Sequence, residues 1–178
     1  MTRPVPIPTT CQLHARQYNA DFADAYETLV PKSALTATAI YRAITHQTPA
    51  WIDHLMRLRH AVMAPFGIKN HGVLSGVGVE PSVPGQRMGL FEVVSVTPHE
   101  LVLQDDDKHL VVQLSVLKQI GDATHDKLTL STVVHIHNTL GRAYMVFVGP
   151  AHKVIAPAVM RRAAAAVTQA CDNPAHEP

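Results

Sequence analysis

From Arg87 onward the apolar residues recur with a period of two, and this constrains the fold more than any other feature of the chain. "RMGLFEVVSVTPHE", "ELVLQDDD", "KHLVVQLSVLKQ", "KLTLSTVVHIHN" and "RAYMVFVG" read as five successive strands. Pro98-His99 supplies the first turn and Asp105 to Asp107 the second. Connections this short between neighbours imply an antiparallel meander. The period then changes again. In "PAHKVIAPAVMRRAAAAVTQAC", Ile155, Val159, Met160, Ala163 and Val167 line one side of a long alanine-rich helix. A sheet with one apolar face and a helix with one apolar stripe must cover each other, which predicts an α+β fold: an antiparallel sheet around a long C-terminal helix.

Alternation in the fourth strand assigns Leu128, Leu130, Thr132, Val134, Ile136 and Asn138 to one face, and Thr129, Ser131, Val133, His135 and His137 to the other. Leu110, Val112, Leu114, Met145 and Phe147 extend the apolar face, which is predicted to look toward the helix. His109, Gln113 and Ser115 extend the polar one, and its His135 and His137 are predicted to meet solvent, a partner subunit or the strand-helix connection. A tight hairpin through Asn138 to Gly141 would bring Arg142 and Tyr144 near His137 and His135.

Ahead of the sheet, Ser33 can cap a helix over about 34 to 46. Thr48 and Pro49 open a second helix with the stripe Ile52, Leu55, Met56, Arg59, Val62, Met63 and Phe66, which Pro65 and Gly67 end. The two form a helical pair near the N-terminus. The Gly72 to Gly85 loop contains Gly76-Val77-Gly78, but Pro81 stands where a dinucleotide fingerprint needs its third glycine and no helical pattern follows. The chain is read as one domain over 1–178, with an ordered core from about 12 to 172 between an extended proline-rich start and a frayed end.

Lys and Arg number 15 against 14 Asp and Glu, so no basic field draws nucleic acid. Cys11 and Cys171 lie too far apart in sequence for a CxxC pair. No run approaches the roughly 18 consecutive apolar residues of a membrane span. These features predict a cytoplasmic protein without a span.

Several groups carry candidate chemistry. His135-x-His137 offers two metal ligands, whereas zinc needs at least about three protein groups; His109 would be the third if the register pairs it with His137. No metal and no cofactor are expected. Asp107, His109, His137, Arg142, Tyr144 and His152 are the candidates for acid-base catalysis if they converge. Asn138, Arg142, Tyr144, His152 and Trp51 are the candidates for ligand contact. Asn138 and Gly141 suit a tight turn, with Arg142 tying it to carbonyls near His152 at the start of the last helix.

"PAWIDHLMRLRHAVMAPFGI", "GLFEVVSVTPHELVL", "DDKHL" and above all "NTLGRAYMVFVGPAHKVIAPAVMRRA" resemble the bacterial family known as domain of unknown function 2867, from about Asp21 to Arg162. The chain departs from it at Val111 and Gln113, where an acidic and a basic residue are expected. The resemblance implies a helix-grip fold like that of START-like lipid carriers and the birch-pollen allergen, with a cavity between sheet and C-terminal helix. It implies a small apolar or amphipathic ligand, entering near the Gly72 to Gly85 loop and the helical pair. Two other readings stand beside it: an enzyme using the acid-base set, and a structural domain whose histidine face forms a homodimer.

Because only a His-x-His pair speaks for a metal, treatment with a chelator is expected to leave the melting temperature unchanged. A fall of several degrees that zinc restores would overturn this.

Overall fold

A computed structural model describes residues 1–46 and 83–172. The second predicted helix, Trp51 and the 72–82 part of the loop lie outside the described residues. Among the described residues, seven strands form one antiparallel sheet: β1 (Arg3–Pro4), β2 (Phe22–Pro31), β3 (Arg87–Met88), β4 (Phe91–Val96), β5 (Glu100–Asp106), β6 (Leu110–Ile120) and β7 (His125–Ile136), in the order β1-β2-β7-β6-β5-β4-β3. A short helix α1 (Ala37–His46) and a 34-residue helix α2 (Thr139–Asp172) pack on one face.

The meander from β4 to β7 follows the predicted strands closely. Its longest hairpin, β6–β7, pairs Leu110 with Ile136 and Ile120 with Asp126. Asp122 sets the turn: its carboxylate accepts the N–H groups of Thr124 at 2.8 Å and His125 at 2.7 Å, and the Thr124 hydroxyl at 2.9 Å. These donors favour the charged carboxylate and lower its pKa from 3.8 to about 2.

Two strand assignments need correction. "RAYMVFVG" is not a fifth strand but the first turns of α2, so no hairpin crosses Asn138 to Gly141. Arg142 and Tyr144 therefore do not pair with His137 and His135, and Phe147 points outward instead of toward the sheet. Pro150, read from sequence as the start of the helix, lies inside it, as does Pro157. The second correction is β2, which the pattern did not reveal and which pairs with β7 from Phe22↔Val134 to Pro31↔His125. Its inward positions are Phe22, Asp24, Tyr26, Thr28 and Val30, and the polar members among them break the alternation. The cap of α1 also shifts. Thr36, not Ser33, accepts the Ala39 N–H at 3.2 Å, while the Ser33 carbonyl takes Lys118 Nζ at 2.6 Å.

Asn138 ends β7 and opens α2. Its Oδ1 accepts the Gly141 N–H at 3.1 Å, in the manner of an N-cap, and its Nδ2 donates to the Lys108 carbonyl at 3.1 Å. Gly141 is required for space and not for positive φ. A Cβ there would collide with the His109 carbonyl oxygen, and positive φ is confined, among the described residues, to Gly85 and Gly89.

Both faces of the sheet are covered. On the helix side, Ile40, Tyr41 and Ile44 of α1 and Ala156, Met160, Ala163 and Val167 of α2 close over Val30, Leu101, Leu103, Val116 and Leu128. On the other side, Ile7, Cys11 and Leu13 of the N-terminal segment cover Ala25, Val102, Leu117 and Val133. The polar face is therefore buried at Thr129, Ser131 and Val133. His135 and His137 lie at the end of β7, half-buried and exposed respectively. Burial also raises the pKa of the Cys11 thiol.

By length and composition Thr139–Cys171 could cross a membrane, a possibility the count of consecutive apolar residues had excluded. Here Ala156, Met160, Ala163 and Val167 of the same helix are buried in the core.

Three outcomes follow from this packing. Thr129 Oγ1 is buried with no hydrogen-bond partner among the described residues, so Thr129→Val is expected to leave stability unchanged or raise it, whereas Leu128→Ala costs about 2–5 kcal/mol in urea melts. A clear loss in Thr129→Val would show that the hydroxyl is satisfied. Asn138→Ala is expected to cost about 0.5–2 kcal/mol, read the same way. In an NMR titration Asp122 should protonate near 2; its contribution to the turn is present above 3.8 and is lost as the pH falls from there to about 2.

Candidate functional site

The two ends of α2 are held differently. Its C-terminal half lies on the sheet through small side chains, Ala156, Ala163 and Ala166, which permit close approach. Its start is fixed by the Asn138 cap. Between them, Tyr144, Met145, Val148, His152 and Ile155 look onto a cavity of about 220 Å³. The sheet supplies Phe22, Val112, Leu114, Leu130, Thr132 and Val134 to it, and α1 supplies Tyr41, Ile44 and Thr45. Leu90, Phe91 and Asp105 complete the far wall.

Most of this lining is hydrocarbon, and two of its polar side chains, Thr132 and His152, meet at one place. His152 Nε2 lies 3.2 Å from Asp24 Oδ1 and 3.2 Å from Thr132 Oγ1. Asp24 and Thr132 are direct cross-strand partners on β2 and β7, so the sheet register places both under the histidine. The Phe22 ring meets the imidazole edge-on, with centroids 5.6 Å apart and planes at 89°. The other carboxylate oxygen, Asp24 Oδ2, is buried without a hydrogen-bond partner among the described residues. Its negative charge reaches Tyr26, whose pKa is raised first by burial and then by Asp24. Burial alone holds the Tyr41 hydroxyl far above its ordinary range, so it remains a neutral group in the cavity wall.

The candidates from sequence separate in space. Tyr144 and His152 line the cavity. Arg142 is exposed and borders a shallow recess with Asp21, Phe22, Ile136, Met145 and Val146. His109 is buried at the start of β6, where its Nδ1 lies 3.0 Å from Asn138 Nδ2 and 3.2 Å from Oδ1. The His137 N–H donates to the His109 carbonyl at 2.9 Å, so these residues are indeed opposite each other. Among the described residues no group of three His, Cys, Asp or Glu side chains is placed to hold a metal. Asp107 closes the β5–β6 turn through its N–H to the Leu110 carbonyl, at 3.0 Å. Asn138 caps α2 and is not part of the cavity lining, and Trp51 is outside the described residues. Asp24 was not among the candidates. The one available signal was an acidic residue at an inward position of "FADAY", which is visible only once β2 is recognised as a strand.

No curated protein matches the chain. Among solved structures, a conserved protein of unknown function from Enterococcus faecalis aligns at 15% identity over 89% of this chain and 77% of its own, with a TM-score of 0.33. The family described as "Protein of unknown function (DUF2867)" matches residues 17–159, which takes in β2, α1, the whole meander and α2 as far as the cavity wall. The chain belongs to that family.

Proposed function

We propose that the protein binds a compact apolar or amphipathic small molecule between α2 and the sheet. The observation that carries this is the cavity: about 220 Å³, somewhat below the roughly 300–1,000 Å³ of common ligand sites, walled mainly by aliphatic and aromatic side chains, with Thr132 and His152 in contact in its wall. A well-packed core has few voids larger than a water molecule. The apolar body of a ligand would lie along Val112, Leu114, Leu130 and Val134, with its polar atom toward Thr132 and His152. The ligand-contact set thus becomes Thr132, Tyr144 and His152, with Asp24 behind the histidine.

A second reading, an acid-base enzyme, is favoured by one observation: a histidine at the cavity wall backed by a carboxylate. If Asp24 is ionised and accepts the Nε2 proton, the neutral imidazole keeps its lone pair on Nδ1 and can act as a base. In that reading His152 is the catalytic residue and Asp24 the positioning one.

Fluorescence of anilinonaphthalene sulfonate tests the cavity. Saturable binding to the folded protein is expected, and Leu114→Trp, which fills the space, should weaken it about tenfold, or roughly 1.4 kcal/mol, with the melting temperature preserved. Equal binding by both proteins would reject this site. Asp24→Ala removes the carboxylate partner of His152 and is expected to cost about 1–3 kcal/mol in urea melts. His152→Gln should retain probe binding. If a substrate is found, loss of turnover in His152→Gln with binding intact would establish the enzyme reading.

A further inference from the structure

We propose that the outer face of the first half of α2 docks on an anionic lipid surface. The proposal does not depend on what the cavity binds. Val146, Phe147 and Val154 are 68%, 79% and 65% exposed, and Ala143 and Pro150 are exposed with them. Ala143, Phe147, Pro150 and Val154 recur at helical spacing, and Val146 lies alongside, so the five form one continuous apolar ridge. Scattered exposed hydrophobic residues need no explanation, but a contiguous ridge does.

The charges around the ridge identify its partner. Arg142 and Lys153 stand along one edge of it, exposed, and the exposed Arg161 continues the line of the ridge two turns beyond Val154. The sole acidic residue of α2 is Asp172, at its far end. Among the described residues, Asp21 shares the shallow recess with Arg142, and it is engaged, accepting the Ile136 N–H at 2.7 Å. A second copy laid on this face would meet Arg142, Lys153 and Arg161 with a stretch of α2 that carries no carboxylate, so no ion pair along the helix would favour self-association. An exposed apolar ridge with cations along one edge and beyond its end is instead the pattern of a helix lying in a membrane interface, with hydrocarbon among the acyl chains and basic groups at anionic headgroups. Met145, Val148 and Ile155, on the opposite side of these same turns, line the cavity, so docking would hold the cavity close to the bilayer.

Co-sedimentation of the full chain with vesicles tests this, using phosphatidylcholine alone and a mixture with roughly one-third phosphatidylglycerol. The expected result is binding to the anionic vesicles that weakens in high salt, with little binding to the neutral ones. Phe147→Glu is expected to bind about tenfold more weakly, and the pair Arg142→Glu with Lys153→Glu similarly. Ile120→Glu, on a side chain 80% exposed at the end of β6, should bind as the unaltered protein does. Circular dichroism checks that each variant is folded, and Val154→Glu replaces Phe147→Glu if the latter is not. Failure of the unaltered protein to bind anionic vesicles, or undiminished binding by the ridge variants, would overturn the proposal. So would a dimer in sedimentation that Phe147→Glu splits without any vesicle binding, since the ridge would then be a contact between copies.

Discussion

The rest of the molecule depends on how α2 is seated across the sheet. Its C-terminal half can lie close because Ala156, Ala163 and Ala166 leave room for the backbone, and Met160 and Val167 then fill the space over Leu101, Leu103 and Leu128. Its first turn is pinned where Asn138 caps the helix and Gly141 meets the His109 carbonyl. The stretch between these two anchors, which contains Pro150, need not touch the sheet. That stretch carries Tyr144, Met145, Val148, His152 and Ile155, and the gap below it is the cavity.

Covering the second face of the sheet has a different consequence. The N-terminal segment buries Val133, Val102 and Leu117, but it also traps polar side chains that alternate with them. Some are satisfied across strands: Ser115 donates to Glu100 at 2.6 Å, and Gln113 to Gln104 at 2.7 Å. Thr129 and Ser131 have no partner for their hydroxyls among the described residues. The polar outer face thus marks a surface closed by a loosely patterned segment instead of a regular element. The cavity lies on the other side of the sheet.

A polar cluster inside an apolar cavity is costly unless its members hold one another. Asp24, Thr132 and His152 do so, and they come from β2, β7 and α2 respectively. The cluster therefore also locks the edge of the sheet to the helix. The proposed binding role and the structural role fall on the same atoms, which is why the Asp24 and His152 substitutions have to be read for stability and for binding together.

The sequence by itself determined the meander. Period-two alternation from Phe91 to Ile136 encodes strands, turns and inward residues locally, and the observed register keeps Leu128, Leu130, Thr132 and Val134 on the face that was read from it. It also determined the amphipathic stripe of the last helix from Ile155 to Val167, and enough family-specific words to place the chain correctly. Only the tertiary structure decided the rest. "RAYMVFVG" alternates like a strand but is helix, opened by the Asn138 cap and turned toward the cavity at Tyr144 and Met145, because its surroundings outweigh the alternation. Strand β2 exists because β7 offers it a ladder, although its own inward row contains Asp24 and Thr28. Asp24 and His152 are 128 positions apart in the chain, and their approach is a property of the sheet register and of the seating of the helix. No local pattern encodes such a distance, which is why the strands could be read from the sequence and the centre of the site could not.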